Sequence, residues 1–250
     1  MTARSIRLER SREGARADLR IEIPPVNVLD LASLEELARK IGEAPPGRLL
    51  VLSGLPRAFS AGVDVAQHAP EPGAIEAMLA AMRRVLAGLC ETPAVTLAAV
   101  SGACLGGGAE LVCACDLVVV AEDARVGFPE IRLACFPPGA AALLPLRVGE
   151  ARAADWILTG KSVSGREAAE AGFAAASFAA DRLAAETDRL AERILGTSAS
   201  ALAAVLPLLR RARRAALTHQ LPAAEDAYRT LAGSEDLARA VREFGAARRR

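Results

Sequence analysis

The chain has 250 residues, of which 52% are hydrophobic and 24% are charged, and its formal net charge is +1. This length and apolar content suffice for one sizeable domain with a buried core, and they exclude a disordered chain. A net charge near zero gives no overall field that would attract nucleic acid or an anionic membrane. An aromatic content of 3% excludes an extensive base-stacking surface.

No run of about 18 apolar residues without charge occurs, so the sequence predicts no membrane span. The first residues lack the apolar centre of a secretion signal, and we therefore expect a cytoplasmic protein. The cysteines are odd in number and lie in apolar surroundings, which predicts reduced, buried thiols. They are Cys90, Cys104, Cys113, Cys115 and Cys135.

In chain order, hydrophobic periodicity predicts strands and helices that alternate through the first half of the chain. The predicted strands are residues 6–8, 18–23, 49–52, 95–100 and 117–121. The predicted helices are residues 31–41, residues 75–90, and a helix that a glycine run at 106–108 opens and that continues through 115. Asp30 is a candidate N-cap for the first helix. This order predicts a layered α/β domain.

After Gly139 alanine and leucine dominate the sequence, and the spacing becomes helical. Helices are predicted at residues 151–158, 166–171 and 181–195 and beyond Ser200, and no strand pattern follows residue 178. We therefore predict a core over residues 1–194 and a helical C-terminal subdomain over residues 195–250.

The first candidate for chemistry is the run Gly106-Gly107-Gly108, where a predicted strand ends and a helix begins. Glycines allow a tight turn and close approach of another group, and the unpaired N–H groups of a helix N-terminus can stabilise a developing oxyanion. The alternative is that the run only serves packing. It has neither the lysine of a phosphate-binding loop nor the spacing of a dinucleotide fingerprint.

Two glutamates in apolar settings are the second candidate. Glu110 follows the glycine run on an apolar helix, and Glu130 lies in the apolar stretch at 126–131. A carboxylate is costly to bury without a partner, and two such groups are candidates for an acid/base pair. The alternative for each is an exposed glutamate at a helix start.

A metal site is not predicted. The chain has two histidines, His68 and His219, in no ligand spacing, and Cys113-x-Cys115 lacks a second pair. A serine hydrolase is not indicated either, because no nucleophile elbow occurs. Ser60 is interpreted as a turn residue.

Three motifs in order resemble the crotonase (enoyl-CoA hydratase/isomerase) superfamily. Residues 58–65 resemble its signature Phe-x-Ala-Gly-x-Asp, residues 102–110 resemble Gly-x-x-x-Gly-Gly-Gly-x-Glu, and residues 128–130 resemble its Pro-Glu motif. Asn27-Val28-Leu29 and Leu158-Thr159-Gly160 also fit the family. The resemblance covers residues 6–180 and weakens afterwards.

This resemblance implies a crotonase-like ββα spiral core with a helical C-terminal subdomain, and an enzyme that adds water to a conjugated enoyl-CoA thioester. The backbone N–H groups of Val63 and Gly107 would form an oxyanion hole, and Glu110 and Glu130 would hold a water molecule and transfer its proton. The implied substrate-binding residues are Arg57, Ala61, Gly62, Asp64, Val65 and Gly106.

The family likeness also implies partners. No cofactor is expected besides the CoA that belongs to the substrate. The family usually forms trimers or dimers of trimers through its C-terminal helices, and the alanine-rich helices after residue 199 are expected to pack between subunits.

A narrower resemblance concerns the substrate. Residues 136–145 and 62–70 are similar to cyclohexa-1,5-diene-1-carbonyl-CoA hydratases, which hydrate a cyclic dienoyl thioester. The alternative is neutral variation in a general hydratase.

The sequence departs from the family pattern at two points. Ala66 stands where a lysine is common, so contacts to the CoA phosphates are expected from Arg57 or Arg83. The C-terminal motif is degraded at residues 237–245, which puts its part in the CoA site in doubt.

Two other functions stay open at this point. A double-bond isomerase would need only one of the two glutamates. A binding protein for RNA or a partner would use the arginines at 210–214 and the tail at 248–250. A solvated helix face and a solvated tail explain these arginines better, and the intact catalytic motifs argue against a binding protein.

Overall fold

The computed structural model describes residues 4–11, 14–44, 48–64 and 73–247. The strands are β1 (Ser5–Ser11), β2 (Arg16–Glu22), β3 (Val28–Leu29), β4 (Leu49–Ser53), β5 (Ala58–Ser60), β6 (Gly62–Val63), β7 (Val95–Val100), β8 (Ala103–Leu105), β9 (Leu117–Ala121), β10 (Arg125–Gly127), β11 (Ser162–Ser164) and β12 (Ala176–Phe178). The helices are α1 (Leu31–Gly42), α2 (Ala74–Glu91), α3 (Gly107–Ala114), α4 (Pro138–Leu143), α5 (Pro145–Val148), α6 (Glu150–Thr159), α7 (Gly165–Glu170), α8 (Leu183–Leu195), α9 (Ala199–Leu209), α10 (Arg211–His219), α11 (Leu221–Ala232) and α12 (Glu235–Ala247), with a 3-10 helix at Pro129–Leu133.

A six-stranded sheet in the order β1-β2-β4-β7-β9-β12 forms the centre of the fold. Only β1 and β2 pair antiparallel, and the remaining neighbours are parallel. Strand β7 is buried along its whole length, as expected of a parallel strand that is covered on both faces. This mixture of parallel strands and intervening helices confirms the predicted α/β class.

Short strands bring the three sequence motifs together at one edge of the core. A second sheet has the order β11-β10-β8-β5, and β3 pairs with β6. Gly127 at the end of β10 is in register with Leu105 at the end of β8, and β6 carries Gly62 and Val63 beside β3. The glycine run begins after β8, the Pro-Glu segment follows β10, and the first motif includes β6. The three motifs therefore start from neighbouring positions.

The C-terminal helices correct the interpretation of the arginine cluster at 210–214. Arg210 is 3% exposed, and its guanidinium contacts Asp116 and the carbonyl oxygen of Ala94, the latter at 2.7 Å. Arg213 also contacts Asp116, and its Nη1 donates to the carbonyl oxygen of Ala114 at 2.7 Å. These two arginines therefore fix helix α10 to the core, and they do not belong to a solvated face.

Burial alone would raise the pKa of Asp116, but hydrogen bonds and charge from Arg210, with help from Thr96 and Arg213, hold that pKa below its ordinary value. The other two arginines of the cluster, Arg211 and Arg214, are exposed. The predicted basic tail at 248–250 lies outside the described residues.

Two further expectations can be compared with the structure. All five cysteines are buried and free, which confirms the prediction of buried thiols. Among the described residues, no single helix is long and apolar enough to cross a membrane, although α8 and α9, bent by 107°, satisfy the length and composition test as a pair.

Candidate active site

A cavity of about 280 Å³ lies where the three motifs meet. One wall consists of the first motif and the glycine run, another of the segment from Pro129 to Gly139, and a third of α2 and α11. The residues of the predicted site that line it are Ala61, Gly62, Val63, Gly106, Gly107, Glu110 and Glu130.

Val63 and Gly107, whose backbone N–H groups are the predicted oxyanion hole, both line this cavity. The N–H of Asp64 donates to the carbonyl oxygen of Leu29 at 2.9 Å, and because N–H groups alternate along a strand, that of Val63 points away from β3. Gly107 is the first residue of α3, so its N–H has no acceptor within the helix. A Cβ atom added to Gly107 would lie 3.5 Å from the nitrogen of Val63, so the two residues adjoin.

Asn27 and Ser60 fix strand β5, and the Ser60 hydroxyl also fixes Gly62 at the start of β6. The Asn27 side chain donates to the carbonyl oxygens of Ala58 and Phe59 at 3.0 and 2.9 Å. The Ser60 hydroxyl donates to the carbonyl oxygen of Asn27 at 2.7 Å and accepts from the N–H of Gly62 at 3.1 Å. Ser60 is therefore a buried residue at the end of β5, and its interpretation as a turn residue was wrong.

Glu110 is buried, with 4% of its surface exposed, and is not the exposed glutamate of the alternative interpretation. Its Oε1 accepts a hydrogen bond from the N–H of Ala140 at 2.9 Å. Burial raises the pKa of Glu110 to about 7, against the opposing effect of the N–H groups of Ala140 and Gly139. Such a carboxyl group can exchange a proton near neutral pH.

Glu130 lies in the 3-10 helix and lines the cavity. Its Oε2 is buried and has no hydrogen-bond partner among the described residues. Burial, followed by the charge of Glu110, raises the pKa of Glu130 to about 8. The two carboxyl groups therefore influence one another and titrate as a pair.

Glycines make room for both carboxyl groups. Gly106 has a φ of 52°, and a Cβ atom there would overlap Oε1 of Glu130. A Cβ atom on Gly139 would lie 3.0 Å from Oε1 of Glu110. The glycine run thus serves the site as well as packing, because any side chain at 106 would displace a carboxylate.

Other predicted residues lie elsewhere. Arg57 is exposed on the loop between β4 and β5 and does not line the cavity, nor does Asp64. Val65 lies outside the described residues. Arg83 does line the cavity, but its Nε donates to Oε1 of Glu225 at 3.0 Å, so its charge is already paired.

Helix α11 supplies cavity residues that the sequence did not reveal. Leu221, Glu225 and Tyr228 line the cavity together with Cys135 of the segment before α4. The nearest motif is about a hundred residues earlier, and a helical pattern does not show which core element its apolar face meets. The predicted boundary at residue 195 is untested, but the cavity takes residues from both sides of it.

No cluster of three or more metal-ligand side chains occurs in the part of the chain that the structure describes.

The raised pKa values predict how stability depends on pH. A carboxyl group whose pKa is about 8 in the folded state and 4.5 ordinarily contributes stability that is complete below pH 4.5 and is lost as the pH rises through 8. Glu130→Gln carries no charge at this position at any pH. The variant should therefore lose less stability than the natural chain as the pH rises. Between pH 5 and 8.5 the natural chain should lose about 4 kcal/mol more unfolding free energy than the variant, since each unit of pKa shift corresponds to about 1.4 kcal/mol.

Urea denaturation at both pH values measures this difference. Glu91→Gln, at an exposed position at the end of α2, is the matched control and should leave the pH dependence as it is. An identical pH dependence for the natural chain and Glu130→Gln would contradict the buried, proton-binding state of Glu130.

Comparison with known proteins agrees with this geometry. A family model described as enoyl-CoA hydratase/isomerase matches residues 12–249. A cyclohexa-1,5-dienecarbonyl-CoA hydratase of Thauera aromatica is 38% identical over 159 residues, which cover 62% of this chain and 61% of that protein. A probable enoyl-CoA hydratase of Bacillus subtilis is 34% identical over 77% of this chain and 78% of its own length.

The fold is also found in solved structures. Human mitochondrial Δ3-Δ2-enoyl-CoA isomerase superposes with a TM-score of 0.89 at 19% identity, over 98% of each chain. At this identity the superposition establishes the fold, while the family model covers nearly the whole chain. The chain therefore belongs to the enoyl-CoA hydratase/isomerase family of enzymes.

Proposed function

We propose that this protein is a hydro-lyase that adds water to a conjugated enoyl- or dienoyl-CoA thioester. The observation that supports it most is the pair of buried carboxyl groups, Glu110 and Glu130, in one cavity that Val63 and Gly107 also line. The reaction requires no cofactor besides the CoA of the substrate. We place the enzyme in the cytoplasm.

In this mechanism the thioester oxygen lies between the N–H groups of Val63 and Gly107. The two glutamates hold a water molecule, whose oxygen attacks the β-carbon as the π electrons of the double bond move toward the thioester oxygen. The N–H groups stabilise the resulting enolate, and loss of one such donor costs about 3–4 kcal/mol in the barrier. One carboxylate takes a proton from water, and the other carboxyl group protonates the α-carbon.

The pKa values of about 7 and 8 suit a pair in which one carboxyl group acts as base and the other as acid. Between these values a coupled pair holds a single proton, so one member can act as base while the other acts as acid. Isomerisation of a double bond on the same scaffold is the second candidate, since it also uses an enolate and needs only one carboxylate.

The acyl group is proposed to be cyclic. Phe136, Pro137, Pro138 and Gly139, which form part of the segment with the narrower resemblance, line the cavity. The Thauera relative carries the name of a cyclic dienoyl-CoA hydratase. A segment in contact with the acyl group is a natural place for substrate specificity to be set.

Hydration of cyclohexa-1,5-diene-1-carbonyl-CoA and of crotonyl-CoA by the purified protein tests the proposal. Loss of the conjugated thioester absorbance and a mass gain of one water are the readouts. Turnover of the cyclic diene alone supports the cyclic substrate, and turnover of crotonyl-CoA alone indicates a general hydratase. Shift of a double bond without water uptake would favour the isomerase.

Glu110→Gln and Glu130→Gln should each lower the hydration rate by at least about a hundredfold, because the amide can neither accept nor donate the required proton. Binding of a saturated acyl-CoA, measured by calorimetry, should change little. Turnover at the natural rate by either variant would disprove the role assigned to that glutamate.

Gly106→Ala should reduce hydration by about a hundredfold, because the added Cβ would displace the Glu130 carboxylate. Gly149→Ala is the matched control, since Gly149 also has a positive φ of 81° but has nothing within 4 Å of an added Cβ. Both variants place an alanine at a positive φ and therefore share the backbone strain. Equal losses of activity would mean that displacement of Glu130 is not the cause of the loss in Gly106→Ala.

We further propose that the protein assembles with copies of itself, as a trimer or a dimer of trimers. An apolar groove outside the active site includes Leu146, Val205 and Leu209, and Leu209 is 66% exposed. Neighbouring Leu208 is 71% exposed. Large apolar side chains in one contiguous patch indicate a contact surface.

Leu209→Glu should dissociate this assembly, because it would bury a charge between subunits. Light scattering during gel filtration gives the mass. Leu158→Glu replaces a leucine that is 70% exposed and does not line the groove, and it should leave the mass unchanged. A monomeric natural chain would rule out the self-association.

A further inference from the structure

Helix α11 carries a buried carboxylate that the proposed mechanism does not use. Glu225 is 1% exposed and lines the cavity. Leu221 and Tyr228 lie on the same face of the helix and also line the cavity, so Glu225 interrupts an otherwise uncharged cavity wall. A carboxylate is costly to bury in such a place unless an opposite charge contacts it. The residue therefore requires a cation as its partner.

Arg83 of α2 is that cation. Its Nε donates to Oε1 of Glu225 at 3.0 Å, and its Nη2 contacts Oε2, so the guanidinium binds the carboxylate with two nitrogens. Arg83 also interrupts an apolar helix face that lines the cavity, formed by Leu79, Met82 and Leu86. The two charged groups therefore meet where the cavity-lining faces of α2 and α11 adjoin.

This ion pair determines the charge of the cavity wall. Among the described residues that line the cavity, Arg83 is the one basic side chain, and Glu225 neutralises it. The two other acidic residues of the lining, Glu110 and Glu130, add negative charge as the pH rises. An acyl group that ends in a carboxylate would lose its hydration in this cavity without gaining an opposite charge. An uncharged acyl group has no such cost.

We propose that Glu225 is a specificity-determining residue, which restricts the cavity to uncharged acyl groups because it neutralises Arg83. This inference rests on the proposed function, in which the acyl group of the thioester occupies this cavity. Glu225 transfers no proton in the reaction. It acts against the wrong substrate, since a second carboxylate beside it would be repelled and would find the guanidinium already occupied. Removal of the Glu225 charge should therefore make Arg83 available to an acyl group with a terminal carboxylate.

Glu225→Gln tests this proposal through binding. The amide keeps the shape of the side chain and one acceptor for Arg83, so α2 and α11 stay joined while the guanidinium charge is no longer neutralised. Hexanoyl-CoA and adipoyl-CoA are the probes, because they have acyl chains of equal length that end in a methyl group and in a carboxylate. Both are saturated, so calorimetry measures their affinities without turnover.

The natural chain should bind hexanoyl-CoA at least about tenfold more tightly than adipoyl-CoA. Glu225→Gln should bind adipoyl-CoA about tenfold more tightly than the natural chain does, which is the effect of one hydrogen bond between charged groups. The affinity of the variant for hexanoyl-CoA should change less than about twofold.

Two further variants are the controls. Asp226→Asn removes the same charge from the neighbouring position of α11, where Asp226 is exposed, contacts Arg229 and does not line the cavity. This variant should keep the preference of the natural chain for hexanoyl-CoA. Glu225→Gln combined with Arg83→Gln lacks the cation as well, and it should lose the gain for adipoyl-CoA. A double variant that binds adipoyl-CoA as tightly as Glu225→Gln would overturn the proposal.

The ratio of the two affinities separates specificity from other roles of the pair. An equal gain for both thioesters in Glu225→Gln would mean that Arg83 binds the CoA phosphates that both probes share. An equal loss for both would mean that the pair only joins α2 and α11. Either result, or equal binding of both probes by the natural chain, would overturn the proposal.

The outcome is distinguishable from failure of the proposed function, because the binding experiment involves no reaction. A chain that prefers hexanoyl-CoA as expected but hydrates no conjugated thioester would refute the hydro-lyase activity alone. A chain that hydrates its substrate but does not distinguish the two probes would refute the role of Glu225 alone.

Discussion

The burial of two carboxyl groups in one apolar cavity is the constraint on which the rest of this structure depends. Burial raises the pKa of Glu110 to about 7 and that of Glu130 to about 8, and the charge of Glu110 adds to the shift of Glu130. Held charged, such a pair destabilises the fold, so the surrounding core must supply compensating stability. Parallel strands that are buried on both faces provide that core, and the site occupies its edge.

The scaffold meets this constraint mainly with backbone groups. Glu110 accepts a hydrogen bond from the N–H of Ala140, and the two N–H groups proposed to bind the thioester oxygen belong to the start of α3 and to β6. Backbone groups are fixed by the fold and need no side-chain ordering when charge develops on a substrate, which is the condition for electrostatic preorganisation. Asn27 and Ser60 extend this rigidity to β5 and to the start of β6 through four buried hydrogen bonds to backbone atoms.

The sequence predicted the long helices and strands and the motifs, and it missed the short strands and the contacts between residues far apart in the chain. Strands β7 and β9 have the predicted bounds, because five of the six residues of β7 and all five of β9 are apolar and give a clear signal. Strands β5, β6, β8, β10, β11 and β12 have two or three residues each, too few for any period. The environment of Arg210 and Arg213 was predicted wrongly, because a run of arginines does not show that Asp116 and backbone carbonyl oxygens of the core bind them.

The same distinction applies to the site. Glycine runs and carboxylates next to apolar residues are visible locally, since the cost of burying a charge marks them as unusual. Tyr228 and Cys135 carry no such mark, because a tyrosine on a helical stripe and a cysteine among apolar residues are ordinary core residues. Tyr228 lines the same cavity as Glu130 only because α11 packs on α2 and α4, elements far from it in the chain. Family motifs therefore identify the groups that would react, while the structure is needed to find the groups that hold them in place.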